Sequence, residues 1–294
     1  MAEIYQKQRF KKQGIKSLHA QIILQVLLWF NVALVLFPFL MTVVMSFKSL
    51  DDFQAGFWSF PKVMQFVNYK YAFGVLGPNM LNSVVICIIL SVGSTMLAAM
   101  CAYVFVRHDF LGKNVLFMMI IGLMMVPSVL SLTPSYLNMT NFLGTGLNLR
   151  NTWFAIILPG LAGHQVGAIF LFRTFMSQHP VDLYESAKLD GAGDFVMLLR
   201  ITLPLSLAIM VIQFLNVFSA AYNDFLWPLL VIDDESKQTL MPMLKALVAE
   251  AKEQTMHDGS SYAIYLVSGI PLIFTSAFGL KYFIGGEFAS GLKL

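Results

Sequence analysis

An all-α polytopic membrane protein is the architecture to expect from this chain, with six transmembrane helices and two short cytoplasmic helices between the fourth and the fifth. Its 294 residues are 57% hydrophobic and only 12% charged, with a mean hydropathy of +0.72, whereas a soluble domain carries about 25% charged residues. Apolar runs near the ~20 residues that a helix needs to cross a hydrocarbon core recur from end to end. Lysines and arginines are divided unevenly between the two sides of those runs, which gives them a direction. A segment in lipid must satisfy its own backbone polar groups, so the runs read as helices.

The first run, Ile22 to Phe47, follows Lys7, Arg9, Lys11, Lys12 and Lys16. It is too long for a signal peptide and lacks a small-residue cleavage site, so it reads as a retained span. The others are Met80 to Val106, Val115 to Tyr136, Trp153 to Met176, Leu203 to Pro228 and Tyr262 to Ile284. Prolines and glycines inside them, Pro38, Gly93, Pro127, Pro134, Pro159 and Pro271 among them, are tolerated in membrane helices. Of the nineteen lysines and arginines, twelve fall on the side of the N-terminus and seven on the other, which places both termini in the cytoplasm. The chain then divides into a cytoplasmic tail (1–21), a transmembrane domain (22–284) holding a cytoplasmic loop (180–202), and a second cytoplasmic tail (285–294). The fifth loop, with Asp233, Asp234, Glu235, Glu250, Glu253 and Asp258, lies outside.

Composition and motifs exclude several functions. A net charge of +3 with scattered basic residues argues against nucleic acid as a partner. Cys87 and Cys101, in one apolar run, form neither a disulfide framework nor a zinc site, and no metal site is expected. His19, His108, His164, His179 and His257 are dispersed, with no His-Glu-x-x-His, so an intramembrane hydrolase is disfavoured. No Gly-x4-Gly-Lys-Ser/Thr loop cradles a phosphate here. Asp224 is the one acidic residue inside the spans, near an edge, which disfavours an ion-coupled carrier.

The loop between the fourth and fifth spans is rich in charge of both signs. Pro180 suits a helix start, Asp182 and Glu185 favour the positive end of its dipole, and Gly191 suits a left-handed end. Asp194 to Ile201 follows as a second amphipathic stretch, with Phe195, Leu198 and Leu199 at helical spacing before Pro204. The residues Glu185, Ser186 and Ala187, then Gly191, then Ile201, Leu203 and Pro204 match in every spacing the signature loop of bacterial ATP-driven importer permeases. Ser186 stands where that family usually has alanine. The wider chain resembles the second, inner permease subunit of maltose-type carbohydrate importers. The matching segments include Pro61 to Tyr69, Ala102-Tyr103 with Arg107, Leu158-Pro159, Phe170 to Phe175, Leu189-Asp190-Gly191-Ala192, Asn223 to Pro228, and Lys281 to Ile284 with Gly286 and Lys293. Leu294 replaces the usual final glycine.

This resemblance implies an all-helical permease in the bacterial inner membrane. It would pair with a second homologous permease subunit, two ATP-hydrolysing subunits and an external solute-binding protein that delivers a sugar. ATP and magnesium would be held by the ATPase subunits and no cofactor by this chain, which is then not itself an enzyme. Glu185, Ser186, Ala187, Asp190, Gly191, Ile201, Leu203 and Pro204 would couple to an ATPase subunit. A permease for a non-sugar solute is the alternative.

The polar groups at membrane depth, His164 and Gln165 in the fourth span and Gln213 and Asn216 in the fifth, are candidates for the pathway, since such groups face protein or a cavity. Bonding to neighbouring helices is the commoner role of such groups, about two in three. Asn223, Asp224 and Trp227, near the outer interface, suit either anchoring or contact with solute. Gly163 and Gly167, four apart, favour a close helix contact.

Overall fold

A computed structural model of the chain describes residues 18–284. The N-terminal basic cluster and Gly286, Lys293 and Leu294 lie outside the described residues. The first helix, α1 (Leu18–Ser46), is almost wholly apolar and exposes nearly its whole length, packing along the last helix of the chain. The short α2 (Leu50–Gln54) follows with a capping box in which the Ser49 hydroxyl and the Asp52 carboxylate each accept from the other's backbone N–H.

The second span is longer than the hydropathy suggests. The helix α3 (Val67–Arg107) begins thirteen residues before Met80 and has 41 residues, roughly 60 Å at 1.5 Å per residue and about twice the hydrocarbon core. Its first turns carry Asn68, Lys70 and Asn79, which hydropathy cannot assign to a membrane. Asn79 and Asn82 donate to the backbone carbonyls of Glu235, Ser236 and Gln238, so this projecting part of the helix pins the fifth loop.

The third span is broken. The helices α4 (Lys113–Leu123) and α5 (Leu132–Thr140) belong to two arms that meet at 96°, with Pro127 at the break. Proline supplies no N–H and clashes with the preceding turn, so one straight helix over Val115 to Tyr136 does not form. The fourth span, α6 (Phe154–Met176), is as expected. It packs most extensively on α3, but not through Gly163 and Gly167. A Cβ on Gly160 would lie 2.7 Å from Leu90, and one on Gly93 the same distance from Leu161, whereas one on Gly163 would meet nothing within 4 Å. The small residue on each helix receives the leucine of the other, a reciprocal close approach.

The loop between the fourth and fifth spans folds as α7 (Val181–Leu189) and α8 (Asp194–Met197), the latter continuing through a π turn at Leu198–Thr202 into α9 (Leu203–Leu205). This arm meets α10 (Leu207–Asn223) at 79° near Ser206. The fifth span therefore does not run from Leu203 to Pro228: it begins beyond the Pro204 bend and ends where Asp224 turns extended, and Trp227 and Pro228 sit in a separate helix, α11 (Leu226–Val231). Among the described residues four helices are individually long and apolar enough to cross a membrane, and six spans result if each bent pair counts as one.

The acidic fifth loop holds a helix that hydropathy does not show, α12 (Leu240–Thr255), whose Leu240, Leu247 and Ala251 pack against the start of α3 and the last helix, α13 (Gly259–Ile284). Here the turn after α1 and the start of α13 come close enough that a Cβ on Gly259 would lie 2.5 Å from the Lys48 carbonyl oxygen. The buried Lys48 ammonium donates to the carbonyls of Gly56 and Phe57 and to the Ser59 hydroxyl.

Candidate functional site

Two constellations stand out, one at the loop between α6 and α10 and one in the cavity beside α11. In the loop, α7 ends in a Schellman motif. Gly191 takes φ +82°, its N–H bonds to the Lys188 carbonyl at 3.0 Å, and the Ala192 N–H reaches back to the Ala187 carbonyl at 2.9 Å. A left-handed residue there turns the chain from α7 into α8 while satisfying two of the last carbonyls of the helix.

The helix pair is fastened to α3 at two points. The Arg107 guanidinium lies 3.4 Å from the centre of the buried Tyr184 ring, a stacked cation–π geometry that a lysine would not reproduce. At the second point the Asp194 carboxylate, opening α8, accepts from the Tyr103 hydroxyl at 3.2 Å and lies 3.3 Å from His108 Nε2.

A hydrogen-bonded chain runs beneath α7. The Tyr184 hydroxyl lies 3.0 Å from both His179 Nδ1 and Thr202 Oγ1, and Thr202 Oγ1 donates to the Met197 carbonyl at 3.3 Å. Every donor is used once if His179 donates from Nδ1 to Tyr184, Tyr184 to Thr202 and Thr202 to Met197. That tautomer leaves the buried, unpartnered Nε2 as an acceptor rather than a stranded N–H. Burial, aided by the nearby Arg107 charge, pushes the His179 pKa down to about 4, so the ring is neutral at ordinary pH.

Of the residues expected to couple, Glu185, Ser186, Asp190 and Gly191 are exposed, and so is Pro204. Ala187 and Ile201 pack inward against the core, and Leu203 is buried. Ala187 is thus half-buried against the fold beneath it. What residue-by-residue reading missed is Leu189, 90% exposed, and Phe195, 67% exposed, on either side of the Gly191 turn. Both are large apolar side chains left in the open beside a rigid turn, on a loop that also carries many charges. Their apolar identity in the charged loop was the available signal.

The second constellation is a cavity of about 450 Å³ lined by Ser128, Ser131 and Ser135 from the break in the third span, Pro159, Gly160 and His164 from α6, and Asp224 and Trp227. The Pro127 kink and the end of α10 are what open it. Asp224 Oδ1 accepts from the N–H of Leu226 at 3.1 Å and of Trp227 at 3.3 Å and so starts α11. The Trp227 indole donates to the Ala155 carbonyl at 2.9 Å. His164, Asp224 and Trp227 are thus brought together. Gln165 bonds within its own helix to the Leu161 carbonyl, and Asn223 likewise to Ser219. Gln213 is buried and Asn216 exposed, and neither lines this cavity.

With a frame of four long apolar helices and two bent pairs, and a loop folded as a capped pair, in view, the relatives can be placed. Residues 94–284 match the family of binding-protein-dependent transport system inner membrane components. The chain belongs to that family. It is 31% identical over 242 residues to the arabinooligosaccharides transport system permease protein AraQ of Bacillus subtilis, covering 79% of this chain and 80% of the relative. It is 28% identical to the diacetylchitobiose uptake system permease protein NgcG of Streptomyces coelicolor, over 84% of this chain and 80% of that one. The sn-glycerol-3-phosphate transport system permease protein UgpE of Yersinia pestis is 29% identical, over 89% and 93%. The structure superposes with a TM-score of 0.78, at 23% identity and over 90% of this chain and 96% of the other, on a bacterial ABC transporter involved in importing the acidic polysaccharide alginate. The chain is a multi-pass membrane permease component, and the matched region holds both constellations.

Proposed function

We propose that this permease forms one half of the pathway for a saccharide and takes its drive from an ATP-hydrolysing subunit docked on the α7–α8 pair. The single observation that carries the reading is the Schellman turn at Gly191, flanked by exposed Leu189 and Phe195 and backed by the Arg107–Tyr184 stack. A surface that is rigid, apolar and tied to a long membrane helix converts movement of a bound partner into movement of that helix. The cavity by His164, Asp224 and Trp227 is the part of the pathway this chain supplies, and a second permease subunit supplies the rest. An external binding protein delivers the solute, and ATP and magnesium belong to the ATPase subunits. Both termini and the helix pair face the cytoplasm, and α12 faces out, as the division of lysines and arginines supports.

The test is uptake by the assembled importer in proteoliposomes, with Ser131→Trp placing an indole in the cavity. Uptake per assembled complex is expected to fall at least ~20-fold while ATPase association is unchanged. Unchanged uptake would remove the cavity from the pathway.

A further inference from the structure

We infer that this chain's half of the pathway admits uncharged saccharides and turns away anionic ones, with Asp224 as the discriminating residue. The inference rests on the reading of the cavity as pathway. The hydroxyls of Ser128, Ser131 and Ser135 and the indole of Trp227 suit the hydroxyl groups and apolar faces of a sugar ring. No lysine or arginine lines this cavity or the smaller one of about 50 Å³ behind it. Asp224 lines both, and the other titratable lining residues, His164 and Cys87, carry no fixed positive charge.

The charge on Asp224 is not what the fold needs. Its capping bonds to Leu226 and Trp227 both go to Oδ1, and among the described residues no hydrogen bond reaches Oδ2. Asparagine would cap the same turn about equally well. The carboxylate also interacts electrostatically with the His164 imidazole, which lines the same cavity. A carboxylate or phosphate on the solute would therefore meet a fixed negative charge, in a partly dehydrated site where repulsion is weakly screened, with no cation to offset it. The fold itself does not dictate this selection, because a neighbour of the same fold belongs to an importer of an acidic polysaccharide.

The experiment is equilibrium binding, without the external binding protein, to the purified complex of this chain with its partner permease and ATPase subunits held in the ATP-bound state. The probes are a panel of neutral disaccharides and trisaccharides and the uronate counterpart of each. The wild type is expected to bind its best neutral sugar at least ~10-fold more tightly than the matching uronate. Asp224→Asn should shrink the ratio of the two affinities below about threefold, whatever it does to the neutral affinity itself. Equal affinities in the wild type, or a gap unchanged in Asp224→Asn, overturns the inference. Ser131→Trp separates the two levels. If it abolishes sugar binding while the gap survives Asp224→Asn, the pathway reading stands and the charge inference alone fails. If sugar binding survives Ser131→Trp, or no sugar binds the wild type, the pathway reading fails and the inference with it.

Discussion

The α7–α8 helix pair and the cavity are assembled from the same kinds of residues under opposite rules. Around Tyr184, hydroxyl, imidazole and carbonyl are joined in one chain, the aromatic face is covered by Arg107, and the turn at Gly191 closes its carbonyls. Around Trp227, the kink at Pro127 and the end of α10 hold the walls apart, and Ser128 and Ser135 line open space beside Ser131, whose hydroxyl donates to the Ser128 carbonyl. A polar group that satisfies a neighbour stiffens the structure, whereas one that lines a void is available to a solute. The membrane parts of α3 and α6 connect the two, and their reciprocal contacts at Leu90–Gly160 and Gly93–Leu161 leave little play between them.

The sharpest way to break the contrast is to make the exposed end polar. Leu189→Asp together with Phe195→Asp is expected to leave the permease inserted and to weaken ATPase association by more than about a hundredfold, since ~3 kcal/mol of apolar contact is lost. Titration of the ATPase subunit against the purified permease pair measures it, and association within threefold of wild type would show that these side chains are not the docking surface.

A smaller change acts inside the helix pair. Tyr184→Phe keeps the ring under Arg107 but strands His179 and Thr202, at a cost of about 1–3 kcal/mol. The expected outcome is normal ATPase binding with several-fold more ATP hydrolysed per sugar transported, because the pair yields instead of transmitting force. An unchanged ratio of ATP to sugar would make the hydroxyl a packing detail.

The smallest effect is on pH. His179 is held near pKa 4 when folded, against about 6.5 when free, so between those values the unfolded chain binds more protons than the folded one. Stability of the helix pair should be full at pH 7, fall progressively as pH drops from about 6.5 towards 4, and change no further below. Thermal unfolding of the assembled complex across that range checks the sign, and His179→Gln should flatten the slope.

Much of this was legible in the sequence, and the exceptions have physical causes. The spacing from Glu185 to Pro204 marked the loop, and Gly191 has the positive φ that a glycine between two amphipathic stretches suggests. Hydropathy located the apolar runs but treats each as straight. It has no term for the hydrogen bond lost at Pro127 or for the bend near Ser206, so it joined broken arms and carried the fifth span through Asp224. The start of α3 and the helix α12 are buried against each other and against α13, a pattern that tertiary packing decides. Asp224 and His164 were visible as polar residues at depth, but only the kink that opens the cavity shows that they share it with Trp227.

The central claim is that the capped loop controls the cavity. It is tested most directly by placing one cysteine at Ser131, in a chain whose Cys87 and Cys101 are serine, and timing its modification by a membrane-impermeant thiol reagent from outside. The assembled importer is measured with and without ATP. With the native loop, ATP is expected to change the labelling rate at least ~5-fold. With Gly191→Asp, which forces a Cβ and a charge into the left-handed turn, the cysteine should still be labelled, at a rate that no longer responds to ATP. The same ATP response in both chains would contradict the account.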